Sequence, residues 1–496
     1  MKVEVVTGAL LAVKADALVV GLSSDDTRLP VALAALDRQA GGRISAVFAA
    51  EKFQGKAGAV THLHVADGFR VSRIVVAGLG GRKDLGAEMV RRAAAAGLRR
   101  ARDLGARTVA LDVLGDRLPP RERAQAAVEG ALLGTYVFDR YKREKSEKAV
   151  ERLRVVAADR RQAREVTAGA RRGEIFADGT VFARDLVNAP ANDVTPTHVA
   201  EVARQVAREG KLKITVLERE DCAKLGMGAF LGVAQGSPEQ RPKFIHLTYV
   251  PTGRATKKVA IIGKGITFDS GGLDLKSADG MLRMKDDMSG AAAVLGIMKA
   301  LPKLGARVEV HGLIAATENM PSGTAMRPGD VLRAMNGTTI EIGNTDAEGR
   351  LTLADALCYA AKLVEPQEMI DMATLTGACV VALGSLCSGL FSSDQRLADR
   401  LLASARAAGE RMWQLPLIDE YKEQFKGDVA DLNNTGGRAG GAITAALFIR
   451  EFAGTIPWAH LDIAGPAFVE KDTPLGPKGA TGVAVRTILT YLTDGK

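Results

Sequence analysis

The stretch GNTDAEGRL, residues 343–351, sets two acids and a base on alternate positions: Asp346, Glu348 and Arg350. Two readings fit it. Thr345-x-x-Glu348, just before the apolar run from Leu351, matches the capping box S/T-x-x-E, and the stretch would then simply start a helix. In an extended segment, by contrast, side chains alternate sides, so both carboxylates and the guanidinium would project to one face. A second stretch, IIGKGITFDSGGLDLKSADGMLRMKDDMSGAAA at 261–293, runs an apolar strand into a Gly-rich turn and carries Lys264, Asp269, Lys276, Asp286 and Asp287. With Asp269 and Asp287 added, the negative charge is excessive for a buried strand end. Buried carboxylates need cations. Divalent metals supply them.

The donors are hard oxygens with no histidine nearby in sequence. His62 and His64 lie in the N-terminal third. His198, His246, His311 and His460 are isolated, and without H-x-x-x-H or H-E-x-x-H spacing each reads as a core or surface residue. Carboxylates suit Mg²⁺ or Mn²⁺, and a neutral lysine amine shifts the preference toward Zn²⁺. Two metals sharing bridging carboxylates is an arrangement used in hydrolysis. Phosphate motifs are absent. No G-x-x-x-x-G-K-[ST] occurs, and in GLGGRK the third glycine of G-x-G-x-x-G would fall at Lys83.

These residues need strand ends to hold them. ADALVVGL, RIVVAGLG and TVALDVLG read as buried strands, short and rich in Val, Ile and Leu, with the helical AEMVRRAAAAGLRRARDLG between them. After a long helical stretch ending at APANDVTP, alternation resumes. KITVLE, KFIHLTYV, KKVAIIGKGITF, RVEVHGLIAATEN, EMIDMATLTG and WAHLDIAG read as strands. GAAAVLGIMKALPKLG and LTLADALCYAAKLV read as helices. The fold class is therefore α/β, with two domains, each a central, mostly parallel sheet flanked by helices. The expected division is an N-terminal domain over 1–160, a linking helix over 161–190 and a larger C-terminal domain over 191–496. Ligands of such sheets bind beyond the carboxyl ends of strands, where the candidate residues fall.

At 496 residues, 47% hydrophobic and 25% charged, the chain has ample core and exceeds one domain. Four scattered cysteines without C-x-x-C imply reduced thiols and a cytoplasmic setting. No apolar run is long enough for a membrane span, and the N-terminus lacks the pattern of a signal peptide. The net charge of +9 resides in the N-terminal third. Its basic runs, including Arg91, Arg92, Arg99 and Arg100, read as solvated helix faces. They also permit a nucleic-acid partner, although scarce aromatics weigh against base stacking.

The motifs together resemble the leucine aminopeptidase (cytosol aminopeptidase) family. The resemblance rests on NTDAEGRL at 344–351, GKGITFDSGG at 263–272, KDDMSGAAAV at 285–294, ENMPSGTAMRPGDV at 318–331, DMATLTGA at 371–378, GGAITAALF at 440–448 and WAHLDIAG at 458–465. It is close over 165–490 and looser before. It implies a macro-like N-terminal domain and hydrolysis of N-terminal residues, Leu and other mostly apolar ones, from peptides. It also implies two divalent metal ions per subunit, Mn²⁺ or Zn²⁺, and a bicarbonate ion. By this resemblance Asp269 and Glu348 bridge the metals, Asp346 completes one shell, and Lys264 and Asp287 complete the other. Lys276 stabilises the oxyanion. Arg350 holds bicarbonate as general base toward a metal-bridged water. Met284, Thr374 and Gly377 line the side-chain pocket, and Asp286 is not a ligand. A homohexamer is implied as well. NNTGGRAGGAIT at 433–444 and Pro466 depart from the family's usual wording near the substrate side, which leaves the side-chain preference open.

Overall fold

A strand that is apolar on every residue must be covered on both faces. The computed structural model describes residues 1–65 and 68–494, and its first strands obey this rule. In Ala17–Ser23 (β2), Ala17 and Val19 pack into one core while Leu18, Val20 and Leu22 pack into another on the opposite face. Lys2–Thr7 is β1, Val60–His64 β3, Arg73–Gly80 β4, Thr108–Asp112 β5 and Arg152–Ala157 β6. The sheet order is β1-β6-β5-β2-β4-β3, parallel throughout except for β3. Helices Val31–Gln39 (α1), Arg43–Glu51 (α2), Ala87–Asp103 (α3) and Pro120–Gly134 (α4) complete it.

The expected basic surface on α3 needs one correction. Arg91 is buried and pairs with the buried Glu129 at 2.5 Å. It is a core ion pair and offers nothing to a polyanion. Arg92 pairs with Glu88 at 2.7 Å, one helical turn away.

The long helix α5 runs Arg160–Asn188. Two compact units divide within it: Met1–Asp178 with Lys471–Lys478, and Gly179–Glu470 with the chain from Gly479 on.

The second unit is built on Lys213–Leu217 (β7), Lys243–Tyr249 (β8), Lys258–Asp269 (β9) and Glu309–Asn319 (β10). Val331–Arg333 (β11), Thr339–Glu341 (β12), Glu368–Ala373 (β13), Ser388–Ser392 (β14), Met412–Gln414 (β15), Leu432–Asn433 (β16) and Trp458–Asp462 (β17) follow. Its main sheet has the order β15-β14-β17-β13-β9-β10-β8-β7. The central strands β17, β13, β9 and β10 are parallel, so their carboxyl ends meet at one edge. β8 and β7 continue the sheet antiparallel.

The helix Ser289–Leu304 lies directly on this sheet. A Cβ on Gly290 would sit 2.0 Å from the Met372 carbonyl, and one on Gly263 would sit 2.5 Å from the Gly290 backbone. Only glycine permits that approach, and it brings Asp287, two residues before the helix, against β9.

Candidate metal centre

Lys264 sits midway along β9 between two glycines, almost wholly buried. Its Nζ lies 2.7 Å from Asp287 Oδ2 and 2.8 Å from Glu348 Oε1, and donates to the Thr374 carbonyl at 3.1 Å. Burial alone would lower its pKa, but the carboxylates of Asp287, Glu348 and Asp269 outweigh burial and hold it well above the usual lysine range. At the end of β9, Asp269 Oδ1 accepts from the Gly271 N–H and from Asn319 Nδ2, both at 2.9 Å. Its other oxygen lies 2.9 Å from Lys276 Nζ, which also reaches Asp346 Oδ1 at 2.5 Å. Asp269, Asp346 and Glu348 each offer an oxygen within 4.8 Å of the others.

The stretch 343–351 is not extended, which corrects the alternation reading. Glu348 has helical dihedrals and is the N-cap of helix Gly349–Tyr359, and Arg350 lies in that helix's first turn. Nor is there a capping box. The Thr345 hydroxyl donates to the Gly271 carbonyl at 2.7 Å and accepts the Asp274 N–H at 2.8 Å, so it serves the loop after β9 instead. Asp346 and Glu348 still converge, through a turn rather than a strand. Arg350 forms no ion pair with them: Nη1 donates to the Asn434 carbonyl at 2.7 Å and its guanidinium lies over Phe448.

Four carboxylates, those of Asp269, Asp287, Asp346 and Glu348, face two ammoniums, those of Lys264 and Lys276. A negative excess is left in a mostly buried site. Burial raises the pKa of Asp287, Glu348 and Asp346, with Asp269 adding repulsion to each. Glu348 Oε2 is buried with no partner. Asp287 Oδ2 and Asp346 Oδ1 touch lysine ammoniums but lack hydrogen-bond geometry. Orphaned, all-oxygen, electron-rich donors of this kind fit divalent cations.

A crevice of about 1020 Å³ opens on the cluster. Met284, Thr374 and Gly377 line it, as do Lys276, Asp287 and Arg350. A Cβ on Gly377 would meet nothing within 4 Å, so space is free there. Asp286 also lines it and is buried, its carboxyl pushed up to about 6 by burial.

Two residues at the site escaped the sequence reading. Asn319, at the end of β10, orients Asp269 and also donates to the Thr345 carbonyl at 3.1 Å. Buried Asn434 accepts the N–H of Gly343 at 2.8 Å and of Asn344 at 3.1 Å, and donates to the Asn344 carbonyl at 2.7 Å. Both stand inside motifs quoted above, and an amide in an otherwise apolar or Gly-rich run was the available signal. None of the histidines joins the cluster. His246 and His311 are not isolated, however: their rings hydrogen-bond at 2.8 Å.

Parallel strands ending in a lysine–carboxylate cluster above an open crevice make an α/β site suited to divalent cations. Comparison with known proteins supplies the class. Residues 181–489 match the catalytic domain of the cytosol aminopeptidase family, and 19–145 match that family's N-terminal domain. A probable cytosol aminopeptidase of Rippkaea orientalis is 45% identical over 478 residues, 96% of each chain. One from a Synechococcus species is 48% identical over 94% of this chain and 92% of its own. Among solved structures, a tomato leucine aminopeptidase variant superposes with a TM-score of 0.90 at 37% identity, covering 100% of this chain and 97% of that one. The bottromycin maturation enzyme BotP in complex with Mn gives 0.85 at 38%, over 97% and 99%. The chain belongs to the cytosol aminopeptidase family, and on that ground it is a peptidase.

Proposed function

We propose that this chain is a two-metal exopeptidase that removes N-terminal residues, Leu and other mostly apolar ones, from peptides. Asp269, Glu348, Asp346, Lys264 and Asp287 would together hold the two ions. The observation that carries this reading is the partnerless Glu348 Oε2 beside the oxygens of Asp269 and Asp346. Mn²⁺ is favoured by the oxygen donors and by the Mn bound in BotP, and Zn²⁺ by a lysine amine. When bound, such ions supply Lewis acidity to the scissile carbonyl and acidify water.

The protein's own groups do the rest. Lys264 would serve as a ligand only after releasing one Nζ proton to solvent, which would leave its carboxylate partners to the ions. Lys276 keeps its charge, since the carboxylates around it outweigh burial and raise its pKa. It stabilises the developing oxyanion. Arg350, with a buried and partnerless Nε, would hold a bicarbonate ion, which would supply a general base. Met284, Thr374 and Gly377 receive the first side chain. Homohexamer assembly and a cytoplasmic location accompany the reading on family grounds.

The test is hydrolysis of leucine p-nitroanilide by chelator-stripped protein after adding back Mn²⁺ or Zn²⁺, with Asp346→Ala as control. Activity restored by metal in the parent and absent from the control is the expected result. A folded protein inert under every metal sinks the reading.

A further inference from the structure

Part of the crevice wall plays no role in the reading above. Thr435, Gly437 and Arg438 line it, followed by the start of helix Gly441–Arg450. This stretch begins and ends on groups already described. Arg350 Nη1 donates to the Asn434 carbonyl at 2.7 Å, one residue before Thr435. At the other end, a Cβ on Gly441 would sit 3.2 Å from the Cβ of Ala378, the neighbour of Gly377. The stretch therefore runs from Arg350 to the pocket at Gly377. A peptide with its first side chain in that pocket and its scissile amide at the carboxylate cluster lays its next residue along this wall.

The most polar group there is Arg438, and it has nothing to bind. Gly437 and Gly440 flank it with φ of +79° and +64°, left-handed turns that glycine takes without strain. Gly440 also packs closely on Tyr421, where a Cβ would sit 3.2 Å from the ring. Between these turns Arg438 is exposed and makes no hydrogen bond or ion pair with any of the described residues. The other guanidiniums of the wall are engaged. Arg283 meets Glu470 at 3.0 Å and Asp286 at 3.5 Å, and Arg350 holds the Asn434 carbonyl. Helix Gly441–Arg450 starts three residues after Arg438 with no side-chain cap and no acid in its first turn, so its positive end adds to the same charge.

What this wall lacks is an anion, and the substrate can bring one. The residue after the scissile bond carries a carboxylate in two cases: as the last residue of a dipeptide, or as Asp or Glu. We propose that Arg438 reads that carboxylate and so selects dipeptides, or peptides with an acidic second residue. The inference rests on the exopeptidase reading above and names its substrate class. The two parallel N–H groups of a guanidinium match the two oxygens of a carboxylate. The contact is the same before and during bond breaking, so it acts through KM rather than kcat.

Initial rates of the metal-loaded, full-length protein on Leu-Gly, Leu-Gly amide, Leu-Asp amide and Leu-Asn amide test this. In the parent, kcat/KM should favour Leu-Gly over its amide, or Leu-Asp amide over Leu-Asn amide, by about tenfold. The first preference identifies the main-chain carboxylate and the second the acidic side chain. Arg438→Gln should bring the favoured ratio close to one, through KM. Arg438→Lys, which keeps the charge without the fork, should retain part of it. A residue that only shaped the loop would lower all four substrates together and leave the ratios alone. Leucine p-nitroanilide, which has no carboxylate, separates the two ways of failing. A parent inert on it loses the exopeptidase reading, and this inference with it. A parent active on it, with both ratios near one or with the same ratios in Arg438→Gln, overturns the carboxylate site alone.

Discussion

Lys264 Nζ lies 2.8 Å from Glu348 Oε1, with both side chains almost fully buried. The ammonium holds a place that a metal ion would claim, so cation and proton compete for the same oxygens. Metal uptake should then release protons, and affinity should rise with pH. Titrating Mn²⁺ in buffers of different ionisation enthalpy measures the release directly. Uptake without proton release would mean that Lys264 stays charged and is not a ligand.

Asn319 touches no proposed ion yet fixes Asp269, donating to Oδ1 at 2.9 Å. Asn319→Ala leaves that oxygen only the Gly271 N–H and lets the carboxylate turn. Such supporting contacts are worth about 10- to 100-fold in metal affinity. The variant should need correspondingly more Mn²⁺ for half-maximal activity, while its rate at saturating metal falls less. An unchanged metal requirement would reduce Asn319 to a packing role.

Gly349 offers a sharper test of Lys264. A Cβ there would sit 2.5 Å from Lys264 Cε and 2.7 Å from Nζ. Gly349 is the first residue of its helix, so Ala there gains less than the roughly 1 kcal/mol of an interior position and does not weaken the helix. Gly349→Ala also pushes the amine out of place, and a displacement near 1 Å can cost about 100-fold in rate. The expected variant is folded, no less heat-stable, and nearly inactive. Full activity would show that Lys264 can move without consequence.

Much of this was legible in the sequence because the signals were local. The Val/Ile run at 73–80 and the Ala/Arg-rich run at 87–103 became β4 and α3. Asp346 and Glu348 do converge, but not as the strand reading expected. Alternation along a strand was the wrong geometry, and the local capping signal at Thr345 was overridden by Gly271 and Asp274, more than seventy residues away. The histidine pair was invisible for the same reason. It exists because β8 and β10 align antiparallel, placing Thr248 opposite His311 and His246 opposite Leu313.

That pair makes stability depend on pH. His246 hydrogen-bonds Tyr359 and His311, Thr248 lies beside both rings, and Glu309 holds the far side of His311. Burial first, and the second ring next, push His246 down to about 4. The unfolded imidazole takes up a proton near 6.5, which the folded one refuses until about 4. Stability should fall as pH drops through that window, by up to about 1.4 kcal/mol per pH unit from this group. His246→Gln should flatten the slope of urea midpoints against pH. An identical slope in parent and variant would remove His246 as the cause.

Arg350 carries the most specific mechanistic expectation. Burial lowers its pKa to about 10, so it is charged at neutral pH. No carboxylate lies within the 4 Å of an ion pair among the described residues, its Nη1 is used by the Asn434 carbonyl, and Nε is buried without a partner. A buried guanidinium in that state calls for an anion with planar oxygens, which bicarbonate provides. Enzyme depleted of bicarbonate should slow, and added bicarbonate should restore it. Loss of a positioned general base costs about 100- to 10,000-fold, so Arg350→Ala should fall by that order and ignore added bicarbonate. Arg350→Lys keeps the charge but loses the fork, and should respond only at higher bicarbonate. Initial rates on leucine p-nitroanilide against bicarbonate concentration measure all three. If Arg350→Ala responds as the parent does, the anion binds elsewhere and the general base must be sought among the carboxylates.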